Sequence, residues 1–294
     1  MNGHWKGVVL ALLAATGYAT VALFSKYVFD AGLPLFTVLA WRFGGAALCF
    51  WAWMLFKGQA KLAWKCLAIG VLGDTVQTTL FFLAVPKIGA AIAALLLYTF
   101  PFFVFLMQRF GFGKKATRRE WTCLAICLTG TSLVVNPFRE LPMTPEFLLG
   151  VWCALGTAVA WGSYVCLSAH ITRRLPTEVA TSNLTAGAGL SFLCIALMRG
   201  EFALPANGPE WLLALLIVLV ATVLPTVCLI RGLKLLGPIR TSLLFTVEPV
   251  ITVGLAILFF GESLTPLEVV GSLLILSAGF ILEKGKQRAE TVSA

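Results

Sequence analysis

Three ionisable residues fall inside long apolar runs: Arg42, Asp74 and Glu248. A charged side chain at the centre of a bilayer costs about 2.5–3.5 kcal/mol on insertion scales, so none of the three is expected to face acyl chains. One cation stands against two anions. Either one acid is protonated in the empty protein, or a cationic group of a bound solute completes the set. The chemistry within reach is solute binding and proton exchange, with Arg42 holding a carboxylate and Asp74 or Glu248 taking an ammonium group or a proton. The plain alternative is that Arg42 pairs with one or both acids and holds helices together. Gln77, Thr78, Ser163 and Asn183 add hydrogen-bonding groups within spans, and Tyr18, Tyr98 and Trp161 lie near mid-span, where they line a cavity or simply pack. Trp5, Trp53, Trp64, Trp121 and Trp211 suit anchoring at the membrane boundary instead.

The rest of the chain sets what these residues can do. Of 294 residues 59% are hydrophobic and only 12% charged, with a mean hydropathy of +0.93. A soluble domain carries roughly twice that charged fraction. A span needs about 20 apolar residues, so ten spans leave room for short connections and no soluble module. Such runs are helices, because lipid offers the backbone no hydrogen bonds. They are expected at 7–29, 33–56, 62–84, 89–110, 118–136, 147–170, 178–199, 210–232, 237–260 and 265–283. Residues 7–27 have a counterpart later in the chain, which argues against reading them as a signal peptide. The fold class expected is an all-α membrane protein of ten transmembrane helices.

The net charge of +9 does not point to nucleic acid, because the basic residues sit in short clusters between apolar runs. With the N-terminus placed in the cytoplasm, seventeen Lys and Arg lie in inside segments, four lie outside, and Arg42 is left within a span. That bias fits the positive-inside rule with both termini cytoplasmic, in a multi-pass protein of the cell inner (plasma) membrane. The eight cysteines lie in or beside apolar runs and read as small packing residues. With two histidines in the chain, no metal cage assembles. A phosphate-binding glycine loop with its lysine, a nucleophile elbow and a zinc-type histidine pair are all missing from the sequence. No catalytic residue, metal or cofactor is expected.

The chain also repeats. At an offset of 148, 89–113 lies over 237–261, placing Gly89, Leu95, Leu96, Pro101 and Gly113 on Gly237, Leu243, Leu244, Pro249 and Gly261. At 143, 7–27 lies over 150–170 and 42–48 over 185–191. A first repeat is expected over 1–136, an extracytoplasmic linker rich in proline at 137–146, a second repeat over 147–283 and a cytoplasmic tail at 284–294. Each half holds five spans, an odd number, so the second inserts upside down relative to the first. Inverted repeats place a binding site near the midplane and support alternating access. Pro101 and Pro249 would free the carbonyls of Leu97 and Phe245, as hinges or as groups open to a solute; Pro225, which faces Gln77 in the repeat alignment, is expected to act likewise. Rows such as 44–47 and 187–189 let helices approach closely.

The stretches WRFGGAAL, GVLGDTVQTTLFFLA, GAAIAALLLYTFPFFVFL and GPIRTSLLFTVEPVITVGLAILFFGESLTPLEVVGSLLILSAGFIL, in that order, resemble the drug/metabolite transporter superfamily, specifically its ten-helix EamA-type members. The resemblance runs over nearly the whole length. It implies a metabolite exporter with a central cavity lined by spans 1, 3, 4, 6, 8 and 9. Arg42 and Glu248 sit in motifs shared by members with varied substrates, which favours a fold-holding role for those two; Asp74 is less typical. The acidic residue that members often show after span 4 is Lys114 here, whereas Glu262 remains in the second copy. The function expected is carriage of an amino acid or related carboxylate, by a monomer or homodimer with proton coupling as one option. A sugar-phosphate or nucleotide-sugar exchanger is the alternative within transport. An intramembrane lipid-modifying enzyme is the alternative of another class, and a passive scaffold or sensor a third.

Overall fold

The computed structural model describes residues 3–135, 144–260 and 265–292, and among them the chain is helical without a strand. The helices are α1 (Gly3–Asp30), α2 (Leu35–Phe56), α3 (Trp64–Ile88), α4 (Ala90–Leu97), α5 (Phe100–Phe110), α6 (Arg118–Val135), α7 (Pro145–Ile171), α8 (Thr177–Met198), α9 (Gly208–Leu236), α10 (Pro238–Phe245), α11 (Glu248–Phe260) and α12 (Pro266–Val292). Seven helical segments among the described residues are long and apolar enough to cross a membrane. Helices also cover the other three expected spans, as α1, α6 and α12. Most of the expected linker, and Glu262, lie outside the described residues.

The expected spans 89–110 and 237–260 are not continuous helices. Each is broken in the same register. Gly89 and Gly237 open them at φ +79° and +80°, a left-handed backbone that a side chain would strain. Eight helical residues follow in each copy, then a two-residue turn, then a restart at Phe100 and Glu248. Pro101 and Pro249 become the second residue of the restarted helices, where a missing N–H costs nothing. The turns are held by Thr99 Oγ1 donating to the Leu96 carbonyl and Thr246 Oγ1 donating to that of Leu243, both at 2.6 Å.

A second matched irregularity carries no obvious signal in the sequence. Spans 3 and 8 each contain a π-helical segment, Gly70–Thr75 in α3 and Leu219–Val223 in α9. Each is followed by thirteen α-helical residues, Val76–Ile88 and Leu224–Leu236. The offset is again 148, so Asp74 and Thr222 occupy matching positions in the two copies.

Two compact units make up the chain, and each draws on both halves of the sequence. The first comprises 1–76 and 167–235. In it α2 and α3 pack on α8 at glycines too close for any side chain: a Cβ on Gly70 would stand 2.0 Å from the Leu184 carbonyl oxygen, and one on Gly187 would stand 2.1 Å from that of Leu67. Phe43 stacks on Phe192 at 5.4 Å, and α1 meets α9 where Gly17 touches Pro225. The second unit comprises 77–166 and 236–294. There α6 and α12 close on each other at Gly130, which lies against the Gly271 carbonyl and Ile275, and the Cys123 thiol donates to the Ala278 carbonyl at 3.4 Å. Buried Cys66, Cys123, Cys127, Cys166 and Cys228 fill gaps between helices as packing residues.

Candidate functional site

The first unit contains a buried polar centre built on both π segments. Pro225 has no N–H, so the Ala221 carbonyl four residues earlier loses its helical partner. The Arg42 guanidinium takes that place, with Nη2 donating to the Ala221 carbonyl at 3.4 Å and Nε donating to Thr222 Oγ1 at 3.1 Å. Thr222 Oγ1 in turn donates to the Ile217 carbonyl at 2.9 Å, five residues back. Arg42 thus satisfies backbone that the proline and the π turn expose. Its plane lies near the Phe43 ring, 4.9 Å from the centroid, and 6.0 Å from that of Tyr18, within the range of cation–π attraction. The Tyr18 hydroxyl shares a hydrogen bond of 3.1 Å with Thr226 Oγ1, one turn beyond Thr222.

Asp74 stands on the other π segment. It is 7% exposed, and the Arg42 charge acts on its carboxylate. Beside it the Thr75 hydroxyl is buried without a hydrogen-bond partner among the described residues, a donor and acceptor left unmatched. Arg42, Asp74, Tyr18 and Pro225 therefore come together. Thr222 completes the group, and nothing in an isolated threonine within an apolar run announces it.

Two other expected residues are placed differently. Asn183 does not offer its amide to a cavity. It is fully buried, its Oδ1 accepts from the Ala63 N–H at 3.0 Å, and its Nδ2 donates to the carbonyls of Lys61 and Val179 at 3.0 and 2.8 Å. It ties down the connection that precedes α3. Ser163 returns its hydroxyl to the Val159 carbonyl of its own helix at 2.7 Å.

The second unit holds an aromatic cluster. Trp161 stacks on Tyr164 with centroids 5.0 Å apart and rings within 6° of parallel. Phe100 and Phe245 meet Trp161 at 6.4 and 6.2 Å, and Tyr98 is buried at the end of α4. Glu248 stands in the first turn of α11, where a helix N-terminus favours a carboxylate, and its charge acts on Tyr98. Gln77 also belongs to this unit and accepts from Thr78 Oγ1 at 3.1 Å. The cluster is a packed aromatic core with one acid at its edge.

The family model of the EamA-like transporters matches the chain twice, over residues 5–136 and 148–282. The chain belongs to the EamA-like transporter family. Full-length relatives are named as transporters. A pseudopaline exporter, CntI, of Pseudomonas aeruginosa is 26% identical over 96% of this chain and 97% of its own. An uncharacterized inner membrane transporter, YicL, of Salmonella typhimurium is 24% identical over 98% of both. An uncharacterized transporter, YcbK, of Bacillus subtilis is 22% identical over 90% of this chain and 88% of its own. A solved crystal structure, 19% identical, superposes with a TM-score of 0.81 over 94% of this chain and 96% of that one, which shows the fold. Together with seven helices of crossing length, this makes the chain an integral multi-pass membrane protein of a transporter family.

Proposed function

We propose that the protein is a secondary transporter that moves an amino acid or related small carboxylate by alternating access, outward across the cell inner membrane. Ten spans in two inverted repeats, with both termini cytoplasmic, are the architecture that goes with this reading. The observation that carries it is the Arg42–Asp74–Thr222 centre. Matched positions of the two copies converge on one arginine, and both lie on π turns, which are frequent at functional sites. A zwitterion suits the groups present: its carboxylate would exchange onto Arg42 in place of Thr222, and its ammonium onto Asp74, with the Thr75 hydroxyl free to receive a further polar atom. In the empty protein a proton on Asp74 would stand in for the ammonium, which links solute movement to protons. Glu248 is a second candidate for that proton, and Gln77, Tyr98 and Trp161 for further solute contacts. The full-length relative named as an exporter supports the direction. The experiment is uptake and efflux of the labelled proteinogenic amino acids and of succinate and citrate by proteoliposomes, beside an Arg42→Ala control. Accumulation above the control for any of them supports the reading; equal leakage across the panel contradicts it.

A further inference from the structure

One built feature lies apart from the polar centre: the connection 57–63 between α2 and α3, together with the first turn of α3. Its backbone is tied at several points. Gly58 turns the chain at φ +63°, the Gln59 N–H returns to the Met54 carbonyl at 2.9 Å, and buried Asn183 clamps Lys61 and Ala63 by their backbones. On this frame stand three exposed lysines, Lys57, Lys61 and Lys65. Trp53 and Trp64 stand next to Lys57 and Lys65, 53% and 68% exposed. The Lys57 Nζ lies 5.1 Å from the Trp53 ring centroid and the Lys65 Nζ 5.6 Å from that of Trp64.

We propose that this connection is a preformed binding site for the headgroup of an anionic phospholipid. The connection joins two membrane-length helices, Leu35–Phe56 and Trp64–Ile88, so what surrounds its exposed side chains is the interfacial layer of the bilayer. Tryptophan settles at that depth, with its ring at the headgroup level. Each ring holds an ammonium group beside it, so the cations are presented at the level of the lipid phosphates. Three lysines on one short segment complement one or two phosphodiesters. A loop meant only for water needs no buried asparagine to fix its backbone; a site that must meet a headgroup gains from being ordered beforehand, since less freedom is lost on binding. The lipid would thereby grip the entry to α3, the helix that carries Asp74 on its π segment.

The test uses the full chain in nanodiscs of phosphatidylcholine alone or mixed with phosphatidylglycerol. Native mass spectrometry counts retained lipids, and hydrogen exchange reads the amides of 57–66. Phosphatidylglycerol is expected to be retained in preference to phosphatidylcholine and to slow exchange at those amides. The Lys57→Gln/Lys61→Gln/Lys65→Gln variant, altered only at exposed positions, should lose that affinity about a hundredfold and lose the protection. A Lys114→Gln/Lys115→Gln/Arg118→Gln variant, equal in charge but elsewhere, should keep both. Equal retention of the two lipids by the wild type overturns the proposal, as does a triple-lysine variant that behaves like it. Protection by inorganic phosphate in phosphatidylcholine discs would assign the segment to soluble anions and overturn it too. None of these readings depends on which solute is transported.

Discussion

At the scale of single residues, the polar centre joins a threonine and an aspartate that the repeat alignment makes equivalent. The Thr222 hydroxyl bridges the Arg42 guanidinium and the Ile217 carbonyl. Removing it leaves a buried donor and a buried acceptor unmatched, which costs about 1–3 kcal/mol. Thr222→Val should therefore lower the thermal unfolding midpoint of the purified protein, and Thr222→Ser should restore most of the loss; a valine variant as stable as wild type would contradict the bridge. A cycle probes the equivalence. Asp74→Thr removes the acid on which the Arg42 charge acts and Thr222→Asp adds an acid, so each alone should destabilise, while the double exchange keeps the charge count and should recover at least half the summed loss. Asp74 and Arg42 were legible in the sequence, because a charge in an apolar run is costly enough to need a reason. The partner of Arg42 was not, since Thr222 is one of many threonines and its role appears only when α2 and α9 meet. Asn183 misled for the same cause: an amide within an apolar helix suggests a solute, and its true neighbours, 61–63, are about 120 positions away in the chain.

At the scale of helices, proline marked the breaks in spans 4 and 9, because Pro101 and Pro249 lack the N–H that a continuous helix would use and suit the start of a new one. The π segments were not readable. Pro225 marks the end of one, but the other precedes Gln77, which has no comparable effect on the backbone. Close packing is asymmetric in a way that a row of small residues conceals. A Cβ on Gly44 meets nothing within 4 Å, whereas one on Gly189 would lie 2.8 Å from the Gly44 nitrogen. Gly189→Ala and Gly187→Ala should each cost about 1–3 kcal/mol or more through overpacking, and Gly44→Ala should be tolerated. Thermal denaturation of the three variants decides the matter, with a destabilised Gly44→Ala as the contrary result.

At the scale of the whole molecule, composition fixed the membrane class, and one family model matches the chain over 5–136 and again over 148–282. Packing follows another division, with each compact unit taking segments from both halves. Sequence similarity alone could not show this, because repeats are written along the chain and units form by contact. The polar centre lies within one unit, and the decisive measurement is made on it. Proteoliposomes holding the wild type or Asp74→Asn are loaded with the labelled amino acids and carboxylates, and flux is followed with and without an imposed pH gradient. The account predicts that the gradient changes the wild-type rate and leaves the asparagine variant's rate unmoved. An Asp74→Asn protein that still responds to the gradient as the wild type does would remove Asp74 from the transport step.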